Sequence, residues 1–411
     1  MKRFIAFATV FCLLITMAGC KNNGKQKYTE YSFDYFDTAT TIVGYEKTEA
    51  EFDLVCEEIK AQMQKYHQLY NIYNRYEGVN NLCVVNDMVD GAHKEVKVEK
   101  EIIDLLLFAK EMYDLTDGRM NVAMGSVLSI WHDYRTEGIK HPEKAALPDM
   151  EDLKSAAEHT NIEKLIINEE NSTVFLSDPK MKLDVGAIAK GYAVEQIALY
   201  LEKKGKTGYL LNVGGNVRTV GNKPDGEGWS VGIENPERED ANAYLVYLKL
   251  ADKSVVTSGN YQRFYIVNGQ NYHHIINAET LMPATYFRSV SVICKDSGRA
   301  DALSTALFNM TYEEGKALIE NIDGAEVMWV CEDGEMRFSD GFYEYMELEE
   351  LILNKNTEVK PRYFLFYQRL SVLQSDGNRG ESPNILSISL PIIAMRGAFK
   401  RVAITVFGPI L

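Results

Sequence analysis

Apolar residues between Ala50 and Tyr73 recur at helical spacing. Phe52, Val55, Ile59, Met63 and Tyr66 fall on one face and predict an amphipathic helix. The same period over Glu99–Tyr113, with Ile102, Leu106 and Ala109 aligned, predicts a second helix that ends near Asp117-Gly118. Asn121–Trp131 is apolar and reads as a third, while Tyr31–Tyr45, upstream of all three, has strand character. From Lys164 the pattern shortens. Leu165–Ile167 and Thr173–Leu176 read as paired strands across a polar turn at Asn168–Ser172, and Lys182–Val185 as a short strand. Tyr192–Lys203 returns to helical spacing and is closed by Gly205. Tyr209–Val213, Trp229–Ile233, Tyr244–Leu250, Ser254–Thr257, Arg263–Val267 and Ser289–Cys294 read as strands. Helices over Ala300–Met310 and Tyr312–Asn321 follow, then strands over Ala325–Val330 and Met336–Phe338. Strand and helix do not alternate regularly, so the fold class is α+β.

The two ends of the chain depart from this pattern. Lys2 and Arg3 precede an apolar run, Phe4–Ile15, that is too short to span a bilayer with ease. Thr16-Met17-Ala18-Gly19-Cys20 then resembles a bacterial lipobox. The expectation is a signal peptide over 1–19, a lipidated Cys20, and a polar tether over 20–30. That places the protein on the extracytoplasmic face of the cell membrane, held by lipid. An ordinary cleaved signal with an incidental Cys20 is the alternative. The body is expected over 31–354. Residues 355–411 hold eight Lys and Arg against three Asp and Glu, in a chain whose net charge is −15. This tail is apolar and basic, lacks either periodicity, and is assigned no role.

With 411 residues, 46% of them hydrophobic, the chain is long enough for a sizeable core. Its acidity argues against nucleic acid as a partner, because phosphate backbones need a basic face. The cysteines carry no C-x-x-C spacing, so zinc and haem are not suggested. Cys56, Cys83, Cys294 and Cys331 are left as one or two disulfides or as buried thiols.

Five segments carry candidate chemistry. Leu183-Asp184-Val185-Gly186-Ala187-Ile188-Ala189-Lys190-Gly191-Tyr192 joins a strand to a helix, where glycines allow close backbone approach and helix N–H groups favour an anion. Lys190 is a point charge suited to phosphate. The segment is neither a P-loop nor a dinucleotide fingerprint, and a plain strand-to-helix turn explains it equally well. Asn212–Val217, with Gly214-Gly215, reads first as a hairpin turn. Val256–Tyr261 and Tyr272–Asn277 bring hydroxyls and a histidine pair, of which a strand can offer only one to a given pocket. Asp301 and Thr305, four apart, share a helix face with Ser304 nearby, and oxygen donors without His or Cys suit a hard cation. A dipole-stabilising aspartate and a buried threonine would explain that last segment alone.

Taken together and in order, these segments resemble the ApbE family of FAD-dependent flavin transferases. The family's D-x-G-[GA]-x-A-K-G-Y, N-x-G-G-N, T-S-G-x-Y, H-I-I-[DN] and A-D-x-x-x-T-A motifs correspond to Asp184–Tyr192, Asn212–Asn216, Thr257–Tyr261, His274–Asn277 and Ala300–Ala306. The resemblance runs from about Phe36 to about Phe342. It implies a two-lobed, T-fold-like α+β body with an FAD cleft between the lobes. It further implies FAD contacts from Phe36, Tyr76, Arg119, Met120, Asn121, Asp184, Lys190, Thr257 and Ile275. Mg²⁺ would be held by the Ala187 carbonyl, Asp301 and Thr305, with Ser304 adjoining or joining them. His274 would be the base, and Asp301 is counted with it as catalytic. Phe36-Asp37-Thr38, Asn121, Asn277, Leu281-Met282-Pro283 and Ser304 depart from the commoner family pattern. The implied reaction moves FMN from FAD to a threonine or serine of extracytoplasmic flavoproteins, such as subunits of membrane redox pumps. An FAD pyrophosphatase and a non-enzymatic FAD-binding lipoprotein are the alternatives.

Overall fold

The computed structural model describes residues 24–90, 94–237 and 243–347. The signal segment, Cys20 and the 355–411 tail lie outside the described residues. An edge hairpin opens the fold: β1 (Gln26–Tyr35) and β2 (Thr38–Glu46). Helices α1 (Glu49–Tyr70) and α2 (Leu82–Asp90), strand β3 (Val96–Lys97), and helices α3 (Lys100–Leu115), α4 (Gly125–Lys140) and α5 (Met150–Ala157) follow. Strands β4 (Leu165–Asn168) and β5 (Thr173–Leu176) lead to helix α6 (Ala189–Lys203). The remaining strands are β6 (Tyr209–Val213), β7 (Asn216–Val220), β8 (Trp229–Glu234), β9 (Tyr244–Leu250), β10 (Ser254–Gly259), β11 (Phe264–Val267), β12 (Gln270–His273) and β13 (Phe287–Cys294). Helices α7 (Ser297–Phe308) and α8 (Tyr312–Ile319) precede β14 (Glu326–Cys331) and β15 (Met336–Phe338).

The main sheet is antiparallel, in the order β1-β2-β6-β7-β10-β13-β14-β15. Helices α6 and α7 pack on it and on each other. Its large core takes the buried stripe of α1 (Phe52, Val55, Ile59, Met63) and apolar residues of α3, α6 and α7. Removing such stripes from water is the main force holding the layers together. A second, smaller core joins Met124, Val127 and Trp131 of the α4 region to Leu153, Tyr265, Val267, Ile276 and Leu281. The Trp131 indole N–H donates to the Leu281 carbonyl at 3.0 Å.

Three expectations change. Tyr31–Tyr45 is a hairpin, not one strand, because Phe36 and Asp37 adopt left-handed φ of +52° and +51° and reverse the chain. Its first strand starts at Gln26, inside the stretch read as tether, since residues 26–32 find ladder partners on β2. Lys182–Val185 is not a strand. Its backbone is held by a side chain, the Asn86 amide, which bonds both the Leu183 carbonyl (2.9 Å) and the Leu183 N–H (2.8 Å). Cys56, Cys83, Cys294 and Cys331 are free thiols.

Candidate active site

The site grows from the loop that enters α6. The Asp184 carboxylate accepts from the Gly186 N–H at 2.8 Å, a local turn that bends the chain toward the helix. Ala187 and Lys190 then face a cleft of about 490 Å³. One residue on, Gly191 donates its N–H to Asp301 Oδ2 at 2.9 Å. A β-carbon at Gly191 would stand 2.3 Å from the Ser297 carbonyl oxygen, so only glycine permits this crossing of α6 and α7.

Helix α7 contributes Asp301 and Thr305, one turn apart, and its C-cap Asn309 to the same cleft. Ser304 turns away. Three residues from Asp301, it points off the shared face, is fully buried, and bonds the Asp301 carbonyl (2.9 Å) and Ser258 Oγ (2.8 Å). It therefore braces the helix and does not itself line the cleft. Ser258 in turn stands 3.3 Å from Thr305 Oγ1. Asn216, with its amide nitrogen toward Asp301, lies 3.3 Å from both carboxylate oxygens.

The opposite wall carries the histidines. His273 is buried and bonds the Ala284 carbonyl at 2.7 Å, while His274 and Ile275 line the cleft. His274 Nδ1 lies 3.3 Å from the Arg263 carbonyl. A carbonyl only accepts, so Nδ1 carries the proton and Nε2 is left with a free lone pair. Burial, reinforced by Arg263, Arg135, His273 and Lys190, pushes His274 down to about 3. The imidazole is thus neutral, with Nε2 unprotonated.

Arg119, Met120, Asn121 and Thr257 also line the cleft. Arg119 is ion-paired with Glu279 (2.7 Å) and Glu314 (3.3 Å). The Asn121 side chain bonds backbone at both ends, the Thr160 carbonyl and the Ala123 N–H. Thr257 Oγ1 pairs with Ser291 Oγ at 2.8 Å. Phe36 falls instead in a side pocket of about 130 Å³ that shares Asp184, Lys190 and Arg263 with the cleft. Tyr76 lines neither. Its hydroxyl bonds His67 Nε2 (3.1 Å), and His67 Nδ1 accepts the Phe36 N–H (3.0 Å), so Tyr76 supports the Phe36 turn from behind.

Tyr73, His132, Arg135, Arg263 and Asn309 line the cleft without having been singled out, while Asn216 closes the N-x-G-G-N motif. His132 and Arg135 had a readable signal, since they stand one turn apart on the apolar helix that carries Trp131.

Burial raises both Asp184 and Asp301; N–H donors and Lys190 oppose it at each, with His132 and Arg135 helping at Asp184. Two desolvated carboxylates favour an added cation. Among the described residues no group of three or more His, Cys, Asp or Glu could hold a metal. One carboxylate, one hydroxyl and one carbonyl instead fit a hard cation that completes its shell with water and phosphate oxygen.

Fold and site define an α+β protein with a cleft between a lysine-bearing helix start and an oxygen-rich helix face. The ApbE family profile matches residues 36–329. A Klebsiella pneumoniae protein named FAD:protein FMN transferase is 30% identical over 281 residues, covering 66% of this chain and 84% of its own. A Treponema pallidum protein of the same name is 30% identical over 350 residues, covering 81% and 92%. Among solved structures, the ApbE protein of Thermotoga maritima superposes with a TM-score of 0.68 at 28% identity, covering 78% of this chain and 100% of its own. The chain belongs to the ApbE family and is an enzyme of the transferase class.

Proposed function

We propose that this chain is a Mg²⁺-dependent FAD:protein FMN transferase, which joins FMN by a phosphodiester to a threonine or serine hydroxyl of an extracytoplasmic flavoprotein and releases AMP. The observation that carries the reading is convergence: Ala187, Lys190, His274, Asp301 and Thr305, from three separate stretches of chain, line one cleft. Its volume suits a ligand of FAD's class. The names of the Klebsiella and Treponema relatives point the same way.

Lys190 would neutralise the diphosphate. His274 Nε2 would take the proton of the attacking hydroxyl. The new bond joins that oxygen to the FMN phosphorus, the P–O–P bridge breaks, and AMP leaves with the bridging oxygen. Asp301, Thr305 and the Ala187 carbonyl would hold Mg²⁺, which supplies Lewis acidity and charge neutralisation at the diphosphate when bound. Catalysis of this kind rests on positioning and electrostatics, which a pre-formed cleft provides. Lipid anchoring through Cys20 would place the enzyme beside acceptors such as subunits of membrane redox pumps.

The test is incubation of the purified protein with FAD and Mg²⁺, with and without a candidate acceptor. FMN bound covalently to the acceptor is the expected product. Free FMN and AMP, formed equally without acceptor, would make the protein a pyrophosphatase; intact bound FAD would make it a carrier.

A further inference from the structure

Two arginines in the cleft have no assigned work. Arg135 comes from α4 and Arg263 from the loop between β10 and β11. Among the described residues, Arg75, Arg119, Arg218, Arg288 and Arg337 each stand within 4.0 Å of a carboxylate; Arg299, outside the cleft, does not, and neither do Arg135 and Arg263 within it. Arg135 is half-buried and Arg263 exposed. A partly desolvated guanidinium without a counter-ion is costly, unless an anion arrives during function.

The Arg135 guanidinium is held in place. Its Nη2 lies 3.3 Å from His132 Nδ1, and the Tyr73 hydroxyl lies 3.3 Å from the same nitrogen. The Tyr73 and His132 rings stack at 4.7 Å. Burial, then Arg135, lowers His132, so its ring stays neutral and accepts. Tyr73 and His132 thus form a shelf that aims the fork of Arg135.

Charge is graded along the cleft. Lys190 bears on Asp301, Asp184 and His274 alike. Arg135 bears on Asp184 and His274, but is not among the charges that act on Asp301. Lys190, the α7 oxygens and both guanidinia line the one cleft, and Lys190 and Arg263 continue into the side pocket, which Asp301 and Thr305 do not line. A diphosphate laid across Lys190 has two phosphates, and the α7 face serves one.

We propose that Arg135 and Arg263 form a second phosphate subsite, which takes the nucleotide phosphate not held at Asp301 and Thr305. Paired guanidinia match phosphate oxygens with a fork of N–H donors. This inference rests on the proposed function, and the phosphate belongs to either the AMP or the FMN half. Tyr73 and His132 are positioning residues for it.

Calorimetric titration of the full chain, without acceptor, tests this with AMP, FMN, adenosine and riboflavin as probes. For Arg135→Gln with Arg263→Gln, the Kd of AMP or of FMN should rise about 10- to 100-fold, as loss of charge-assisted hydrogen bonds implies. Adenosine and riboflavin, which lack phosphate, should bind as to the wild type. A weakened AMP assigns the pair to the leaving nucleotide, and a weakened FMN to the transferred group. Unchanged AMP and FMN affinities overturn the subsite, as does an equal loss for the phosphate-free probes. In either case, wild-type FAD turnover leaves the transferase reading standing. A wild-type protein that binds none of FAD, AMP and FMN overturns both.

Discussion

Gly191→Ala is the sharpest test of how the fold sets the site. The added methyl would lie 2.3 Å from the Ser297 carbonyl oxygen and 2.5 Å from Asp301 Cβ. Both belong to the first turns of α7, so no flexible side-chain end can swing clear. Ordinary contacts lie near 3.5 Å, so the helices must part by about 1 Å. Overpacking of this kind costs typically about 1–3 kcal/mol, and a backbone clash between two packed helices belongs at the upper end. At roughly 2 °C per kcal/mol for a large body, Tm should fall by about 6 °C. The same shift stretches the 2.9 Å bond from the Gly191 N–H to Asp301 and moves Lys190 away from Thr305. A displacement near 1 Å at a reacting centre costs about 10²-fold in rate. Differential scanning calorimetry, with FMN transfer followed by in-gel flavin fluorescence, reads both quantities. A Tm within 1 °C of wild type together with an undiminished rate would refute the claim that this crossing positions the site.

Three further outcomes are expected. Asp301→Asn should lower Mg²⁺-dependent FMN transfer by about 10²-fold or more while FAD still binds, and transfer at the wild-type rate would remove Asp301 as a metal ligand. His274→Ala should keep FAD binding and lose transfer; in the wild type, a base pushed down to about 3 is competent at every pH above that value. kcat/KM should then show no acid limb centred near 6.5, and a limb there in the wild type that His274→Ala abolishes would contradict the assignment. Glu46 is raised by burial, but hydrogen bonds from Lys206 (2.7 Å) and Tyr209 (2.8 Å) outweigh this and hold it below 4.5. Its contribution is therefore present above about pH 4.5 and lost as pH falls through the folded value. Glu46→Gln should cost about 1–3 kcal/mol at pH 7 by urea denaturation, and the gap should narrow as the pH falls below 4.5; a constant gap would count against the ionised form.

Periodicity located most of the helices and strands, because their buried faces are long and regular: the α1 stripe of Phe52, Val55, Ile59 and Met63 is the clearest case. It failed where local backbone chemistry replaced pattern. The Phe36-Asp37 reversal has no glycine or asparagine to announce it, and its left-handed backbone depends on His67 and Tyr76. Lys182–Val185 looks like a strand but is held by the Asn86 side chain, a partner 97 residues away in sequence that no window detects. Within the site, the motif residues Asp184, Lys190, His274, Asp301 and Thr305 were legible; strand alternation allowed only one histidine of the pair into the cleft, and the family resemblance pointed to His274. Ser304, read as adjoining or joining the metal set, is fully buried against Ser258 and does not itself line the cleft. Arg135, His132 and Tyr73 carry no motif; the first two stand one turn apart on α4, and Tyr73 joins them from the loop after α1 by stacking on His132.

Two carboxylates bond across the α6–α7 contact, and they differ in how their charge is met. Glu195 accepts the Ser297 N–H at 2.8 Å and is matched by the fully buried Arg218, 2.9 Å away, which also reaches Glu202 at 2.9 Å. That carboxylate is neutralised inside the protein. Asp301 makes the equivalent inter-helix bond one turn earlier on α6, to the Gly191 N–H, yet no Lys or Arg pairs with it among the described residues. Lys190 acts on it from a distance only. The fold thus holds the two helices with two similar carboxylate-to-N–H bonds, but encloses a counter-charge for only one. The unbalanced member is the one that lines the cleft, beside Thr305. Charge left uncompensated at a rigid helix crossing is a place where a divalent ion gains affinity without reorganising the protein, since the ligands are already oriented by the packing that folds the chain.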